Sequence, residues 1–563
     1  METRSYDVIV VGAGGAGVTA AASAARAGAR VAILSKEPVG CGNTRIAYGG
    51  FAGVGMVPED NPEEFFRDIV AGGEGLGNPQ LTRDFTKDAR KGPCVAEGMG
   101  HIFRRDQEGD VKGPVIGRAG GHRFHRGLSS PAQGVSLGGM LHNAAFGAGV
   151  EILEEVVAFR LMGQSRVNGL LAYTVRDGKV LALNAGAVVL ACGGAGWLFY
   201  PHTDCVRSST GDGFALALEA GAELMGMEFL QFLPFSVTHP PSYTGIFLGE
   251  PSSTGPNGRL VNGKGETVMT NMMPKTRSQV ARVVALEINA GNTTPHGGIS
   301  LDVTPNLETP QGRKAWESMN ATGLLDQARL IYGERAYRWE EPWDVAPTAH
   351  FSAGGVRIDR DCRSTIPGLY AAGEVSGGVH GADRLGGTAL TEVFLFGWKA
   401  GKQAAAEAAS LGSSQVDSRE AEEQAGRVEA LFGRKGGNRP IALIRRLQKV
   451  MWDKVGVVRT DEGLRQALQE FDRIRDGAQD LQVRSGRTFN TEVAEALELE
   501  MMLTTGRAMA KSALERQESR GGHVRLDFPD RDDGRWLKNI FVRKEGDKLR
   551  IRAEAVPSLE ALS

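Results

Sequence analysis

The feature that most narrows what this chain can become is the run Gly12-Ala13-Gly14-Gly15-Ala16-Gly17, which fits G-x-G-x-x-G. It follows an apolar segment, residues 6–11, that reads as a buried parallel strand, and it opens an Ala-rich segment, 16–27, that reads as a helix. Residues 30–34 supply a second strand. In this context Gly12 permits the tight turn and Gly14 lets backbone approach a pyrophosphate. Gly17 lets helix and strand pack closely, and the helix N-terminus supplies a positive end. Gly15 lies in the same loop. The unit predicts an α/β, Rossmann-like dinucleotide-binding domain. An acid about 20 residues further on would contact the ribose; Glu37 stands there, and Ser35 and Lys36 compete with it.

Glycine clusters recur far downstream, at Ala191-Cys192-Gly193-Gly194, Thr210-Gly211-Asp212-Gly213 and Gly368-Leu369-Tyr370-Ala371-Ala372-Gly373-Glu374. A long ligand threaded through the domain needs such repeated close approach, so FAD is preferred to NAD. The chain has 77 glycines without a G-X-Y period, which argues against a fibrous or low-complexity reading.

At 563 residues the chain exceeds one core. Composition shifts place a first FAD-binding segment at 1–231, an inserted domain at 232–346, the resumed FAD domain at 347–430 and a helical domain with a terminal hairpin at 431–563. In the insert, proline-rich polar loops surround a single good helix, 277–289. Lys and Arg total 65 against 67 Asp and Glu, so no net field draws nucleic acid or an anionic membrane. Five cysteines without a C-x-x-C pair argue against a disulfide framework, a metal site or an iron–sulfur cluster within this polypeptide. Electrons leaving a flavin would go to a separate partner. No apolar run of 18 residues and no secretory leader is seen, so the expected location is cytoplasmic, peripheral to a membrane only through a partner. The basic run His122-Arg123-Phe124-His125-Arg126 reads as a solvated loop lining a cleft.

Taken in order, the Gly12–Gly17 loop, Gly49-Gly50, Thr210–Gly213, Ala371–Glu374, His380-Gly381-Ala382-Asp383-Arg384-Leu385-Gly386-Gly387 and Glu518-Ser519-Arg520-Gly521-Gly522-His523 resemble the flavoprotein subunits of succinate dehydrogenase, fumarate reductase and L-aspartate oxidase. The resemblance runs nearly end to end. It implies an FAD domain, a mobile α+β cap inserted into it, and a C-terminal helical domain, with a small carboxylate substrate between FAD and cap. It implies exchange of a hydride between flavin N5 and a carbon of a carboxylate-activated C=C or C–C bond. Arg277 matches the arginine that protonates the α carbon, and Glu250 its proton relay. His350 and Arg384 match the pair that grips one substrate carboxylate. The implied cofactor set adds Asn43, Thr44, Gly49, Gly50, Val157, Gly193, Asp212, Glu374, Thr388 and Leu390 to the loop glycines and to Ser35, Lys36 and Glu37.

The chain also departs from the family pattern. The family's Gln-Phe-His-Pro is Gln231-Phe232-Leu233-Pro234 here, so a histidine for the second carboxylate is leucine. The threonine before the relay glutamate is Gly249, and a relay arginine falls at Ser252 or Ser253. The substrate is therefore expected to be an enoate with one carboxylate and an apolar far end, unless His239 replaces the missing imidazole. The flavin-carrying histidine of respiratory members falls at Asn43, so the FAD is expected to be non-covalent. Rival readings are a stand-alone oxidase like L-aspartate oxidase, adenylylsulfate-reductase-like chemistry, and an electron-transfer subunit with a degenerate site.

Overall fold

The computed structural model describes residues 1–48, 50–105, 116–118, 120–321, 323, 325–412, 415–434 and 436–557. Its central layer is a seven-stranded sheet. Glu2–Val11 lies between Val31–Ser35 and Lys179–Leu190, all parallel, and Glu151–Glu154 continues the parallel run beyond Val31–Ser35. Leu369–Ala371 adds parallel to the far end of Lys179–Leu190, while Gly169–Thr174 and Val156–Met162 return antiparallel. Where three parallel strands run side by side, at 8–11, 31–34 and 187–190, they are apolar and buried, as a covered layer requires.

The helix Gly15–Arg26 packs on this sheet and against the 24-residue helix Thr388–Leu411. That packing depends on missing side chains: a Cβ at Gly397 would meet Ala16 O at 2.6 Å, and one at Gly401 would meet Ala20 O at 2.0 Å. The two helices therefore touch backbone to backbone, which draws residues 371–393 toward the glycine loop.

A second core, built from Phe235, Val237, Leu260, Val280, Trp339, Trp343 and Val345 among others, lies in the inserted region. A six-stranded sheet crosses into it. Its central strands Leu230–Val237 and Trp343–Ser352 run from the FAD domain into the insert, pairing Gln231 with Phe351 at one end and Val237 with Val345 at the other. The expected boundaries at 231/232 and 346/347 thus fall inside continuous strands. Beyond the expected helix Arg277–Asn289, the insert carries helices Pro310–Ala321, Asp326–Tyr332 and Glu334–Tyr337.

Past residue 431 come the helices Pro440–Val455, Asp461–Gly477 and Thr491–Glu515. The last, 25 residues long, has no single apolar stripe because it is buried on most sides, and for that reason periodicity did not reveal it. The terminal hairpin Lys538–Glu545 with Lys548–Ala555 turns at Gly546, whose φ is +56°. It pairs with Leu224–Met225, so the chain's end is stitched back onto the FAD domain.

The 122–126 cluster requires a correction. Arg126 is 1 % exposed and pairs with Asp60 at 2.6 Å and Asp68 at 2.5 Å, and His122 Nε2 lies 2.8 Å from Gly386 O. Only Arg123 and His125 reach the surface. A charged run looks solvated from sequence; here two acids more than fifty residues upstream neutralise its buried half.

Candidate active site

The ends of the parallel strands, the glycine loop and the cap meet at one long cleft with a cavity volume of about 280 Å³. At one end Gly12, Gly14 and Gly15 line it. Gly12 has φ +109°, and a Cβ there would lie 2.3 Å from Ala191 O. A Cβ at Gly14 or Gly193 would meet nothing within 4 Å, so both glycines face open space where a ligand can approach the backbone. Gly17 does not line the cleft; its missing side chain lets the helix sit on Gly12 O, 1.8 Å from the would-be Cβ. The helix Gly15–Arg26 has no side-chain cap from Gly14; Gly15 N donates to Thr44 Oγ1 at 3.2 Å, and the positive end of the helix favours an anionic ligand.

Ser35, Lys36 and Glu37 all line the cleft, but they are not equivalent. Lys36 Nζ is committed to Asp212 at 2.7 Å and Glu498 at 2.8 Å; burial alone would lower its pKa, and these two carboxylates outweigh burial and raise it. Neither Ser35 nor Glu37 is held in such a pair of ion pairs among the described residues. Asn43, Thr44, Gly50, Gly193, Asp212, Glu374 and Leu390 also line the cleft. Besides Gly17, two expected cofactor residues do not. Strand alternation turns Val157 away and presents Val156 and Ala158 instead, and Thr388 is fully buried, its hydroxyl donating to Leu385 O at 2.7 Å. Gly49 lies outside the described residues. These groups fit a dinucleotide: a cradle without side chains, a helix N-terminus and polar groups spread along an extended groove.

Asn43, where the resemblance puts the flavin-carrying histidine of respiratory members, lines the cleft. Its Oδ1 accepts from Val206 N at 2.9 Å and its Nδ2 donates to Ser209 Oγ at 3.1 Å. Beside it, burial pushes Glu374 up to about 7, so near neutrality its carboxyl can donate as well as accept. Glu374 takes a hydrogen bond from Ser352 N at 3.0 Å.

At the other end of the cleft four predicted residues converge. Arg277 opens the helix Arg277–Asn289, fixed by a capping box between Thr276 and Gln279. Its guanidinium donates to Glu250 and, at 3.0 Å, to Gln231 Oε1. Burial works to raise Glu250, but the Arg277 charge and hydrogen bond overcome it and hold the carboxyl below the usual range. Arg384 donates to His350 Nε2 at 3.1 Å and to Leu385 O at 3.1 Å, and stacks over Phe351 at 4.5 Å. Because His350 Nε2 accepts from a guanidinium, Nδ1 carries the proton and donates to Asp204 at 2.8 Å. Burial lowers His350 more than Asp204 raises it, which keeps the ring neutral. Asp204, missed from sequence, is thus the carboxylate that sets the tautomer.

Burial and the neighbouring Arg277 charge pull Arg384 down to about 9. Among the described residues, Arg277 Nε and Arg384 Nε are buried without an acceptor. Two crowded guanidiniums with N–H groups to spare call for an anion between them. Leu233, 1 % exposed, lines the same chamber, with Phe247 and Tyr48 packed together at 4.5 Å between ring centroids. His239 does not replace the missing imidazole: it is exposed, outside the cleft, and stacked on His296 at 4.1 Å.

Comparison with known proteins agrees with this geometry. Residues 7–390 match the family model for the FAD binding domain, and 444–560 that for the fumarate reductase flavoprotein C-terminus. A subunit of the CoM/CoB fumarate reductase of Methanothermobacter marburgensis is 35% identical over 557 residues, 97% of this chain and 98% of the relative. The fumarate reductase flavoprotein subunit of Escherichia coli is 31% identical over 580 residues, 97% of this chain and 93% of the relative. A solved mutant of E. coli quinol fumarate reductase superimposes with a TM-score of 0.87 at 30% identity, covering 99% of this chain and 97% of that one. Adenylylsulfate reductase of Archaeoglobus fulgidus, at 20% identity and a TM-score of 0.79, shares the fold alone.

The fold and cleft therefore define an FAD-dependent oxidoreductase acting on CH–CH bonds. The chain belongs to the fumarate reductase and succinate dehydrogenase flavoprotein family. No helix among the described residues is long and apolar enough to cross a membrane.

Proposed function

We propose that this chain acts on a 2-enoate, or on the corresponding saturated acid, that carries one carboxylate and an apolar far end. The observation that carries this reading is Leu233 in the wall of the cleft that also holds the guanidiniums, where Phe247 and Tyr48 add apolar lining. A second carboxylate pressed against this wall without a donor would cost more than the roughly 2–7 kcal/mol of an unpartnered neutral polar group, because it is charged. Arg384, oriented by His350, is suited to hold the single carboxylate, the guanidinium opposing the charge that develops there when the double bond is attacked. Bound FAD supplies or accepts the hydride. Arg277 holds a proton over the chamber, and Glu250, hydrogen-bonded to it, is placed to exchange that proton with solvent-side groups.

A substrate panel tests the assignment. Aryl-acrylates or alkyl-enoates are expected to turn over faster than fumarate; comparable fumarate turnover would remove the apolar-pocket argument. The substitution Leu233→His is expected to raise kcat/KM for fumarate by about 10–200-fold, because it restores a donor for the second carboxylate. Unchanged fumarate kinetics in that variant would count equally against it.

The FAD is held without a covalent link, since a carboxamide at Asn43 offers no ring nitrogen for one. Acid precipitation is expected to leave the yellow colour in the supernatant, and a yellow pellet would refute this. Electrons pass to a separate redox protein; the relatives are named as subunits, and no group of His, Cys, Asp or Glu among the described residues is placed to hold a metal.

His350 must be neutral to accept from Arg384, and its folded pKa lies below the ordinary 6.5. The kcat/KM profile is therefore expected to be level at neutral pH and to fall only as pH drops through that lowered value. Asp204→Asn removes the charge that holds the ring's pKa up, so the acid limb should move to lower pH. Its plateau should drop about tenfold because the tautomer loses its charged, accept-only partner. An acid limb that does not shift between the two proteins would assign it to another group.

A further inference from the structure

Asp383 lies next to Arg384, 3 % exposed, and does not line the cleft. Its two oxygens bridge separate parts of the molecule. One accepts from Gln231 Nε2 on the strand Leu230–Val237, and the other accepts from Ser278 N in the first turn of the helix Arg277–Asn289, at 3.2 Å. Gln231 is fully buried, and its amide is used at both ends: Nε2 also donates to Arg384 O at 2.7 Å, while Oε1 accepts from Arg277 at 3.0 Å.

An amide has two orientations, and only one serves Arg277. If Nε2 faced the guanidinium, donor would meet donor in a dry interior. A carboxylate accepts only, and so does the Arg384 carbonyl. Together they force the Nε2 end toward the FAD domain and the Oε1 end toward Arg277. The Ser278 contact fixes the same helix from its backbone, where the helix dipole favours a negative group. Burial pushes the Asp383 carboxyl up, and the hydrogen bonds from Gln231 and Ser278 work against that rise.

We propose that Asp383 is a positioning residue for Arg277: it orients the Gln231 amide, docks the start of the cap helix on the FAD domain, and so aims the guanidinium. This rests on the reading of Arg277 as the proton donor. Asp383 itself touches neither ligand nor reacting atoms. It acts through two hydrogen-bonded neighbours, one a side chain and one a backbone N–H.

The experiment compares Asp383→Asn, Gln231→Leu, their double variant and Arg277→Gln, each assayed as holoenzyme with the best enoate of the panel. Asparagine keeps the shape of aspartate but must present NH₂ to Gln231 or to Ser278 N–H. Asp383→Asn is expected to lower kcat by about 10²-fold, the scale of a misplaced catalytic group, while KM stays within about twofold and FAD occupancy is unchanged. Gln231→Leu should show the same pattern. The double variant should fall no further than the worse single, because both changes act through one orientation. Full kcat in Asp383→Asn, losses that multiply in the double variant, or a loss that tracks FAD occupancy would each overturn the proposal. If Arg277→Gln alone keeps wild-type kcat, the proton-donor reading fails instead. If Arg277→Gln is impaired and Asp383→Asn is not, only the positioning role is lost.

Discussion

Arg277→Gln is expected to lower kcat for the preferred enoate by about 10³-fold, within the 10²–10⁴ range of a lost general acid, with KM changed by less than about threefold. That corresponds to about 4 kcal/mol of transition-state stabilisation. The guanidinium sits between Glu250 and Gln231 with its Nε otherwise unpartnered, so it is held over the chamber by fixed groups on both sides. Glutamine can replace one hydrogen bond but has no proton to give. Arg277→Lys is expected to recover no more than about tenfold, since an ammonium cannot reach Gln231 and Glu250 in the plane that the arginine fork uses. Glu250→Gln should cost less than Arg277→Gln and should show a solvent isotope effect on kcat larger than that of the unsubstituted protein, because reprotonation then becomes the slow step. A kcat loss in Arg277→Gln matched by an equal rise in KM would show that the residue binds substrate rather than delivering a proton.

The glycine loop was legible because its requirement is local. Gly12 needs positive φ, Gly14 needs open space, Gly17 needs contact with the neighbouring strand, and all three needs are met within six consecutive residues. Arg277 was reached through the resemblance instead, and the structure seats it in a first turn capped by Thr276 and Gln279. What stayed hidden depends on partners brought in by the fold. Asp204 is an unremarked loop acid until the isolated bridge between Thr203 and Ala349 sets it beside His350. Lys36 competes for the ribose on paper, yet Glu498, 462 residues away, takes its ammonium. Arg126 reads as a surface charge until Asp60 and Asp68 close over it. The strand pair that carries Gln231 and His350 crosses from one core to the other, and composition, which changes with the core and not with the strand, placed the boundary inside it.

Arg384→Met should lower kcat/KM by about 10²–10⁴-fold, on the scale of Arg277→Gln, and should do so mainly through KM. Truncating one partner of a buried charge pair leaves the other unpaired at about 3–5 kcal/mol, and here the stranded partner would be the substrate carboxylate. Arg384 NH1 already serves Leu385 O and NH2 serves His350, while Nε is buried without an acceptor and the plane rests on Phe351. The group is therefore aimed by three contacts with donor capacity left over. Holding that charge in the interior has a cost, seen in the downward pull of burial and Arg277 on its pKa, and a bound carboxylate offsets it. Arg384→Lys should restore charge but not the fork, so its KM should stay at least about tenfold above the original. Arg277 and Arg384 then separate cleanly in a pair of measurements: one variant moves kcat with KM nearly fixed, and the other moves KM. If Arg384→Met instead leaves KM untouched and lowers only kcat, the carboxylate is held elsewhere, and both the orientation of the substrate and the role of Leu233 as its apolar wall would have to be reversed.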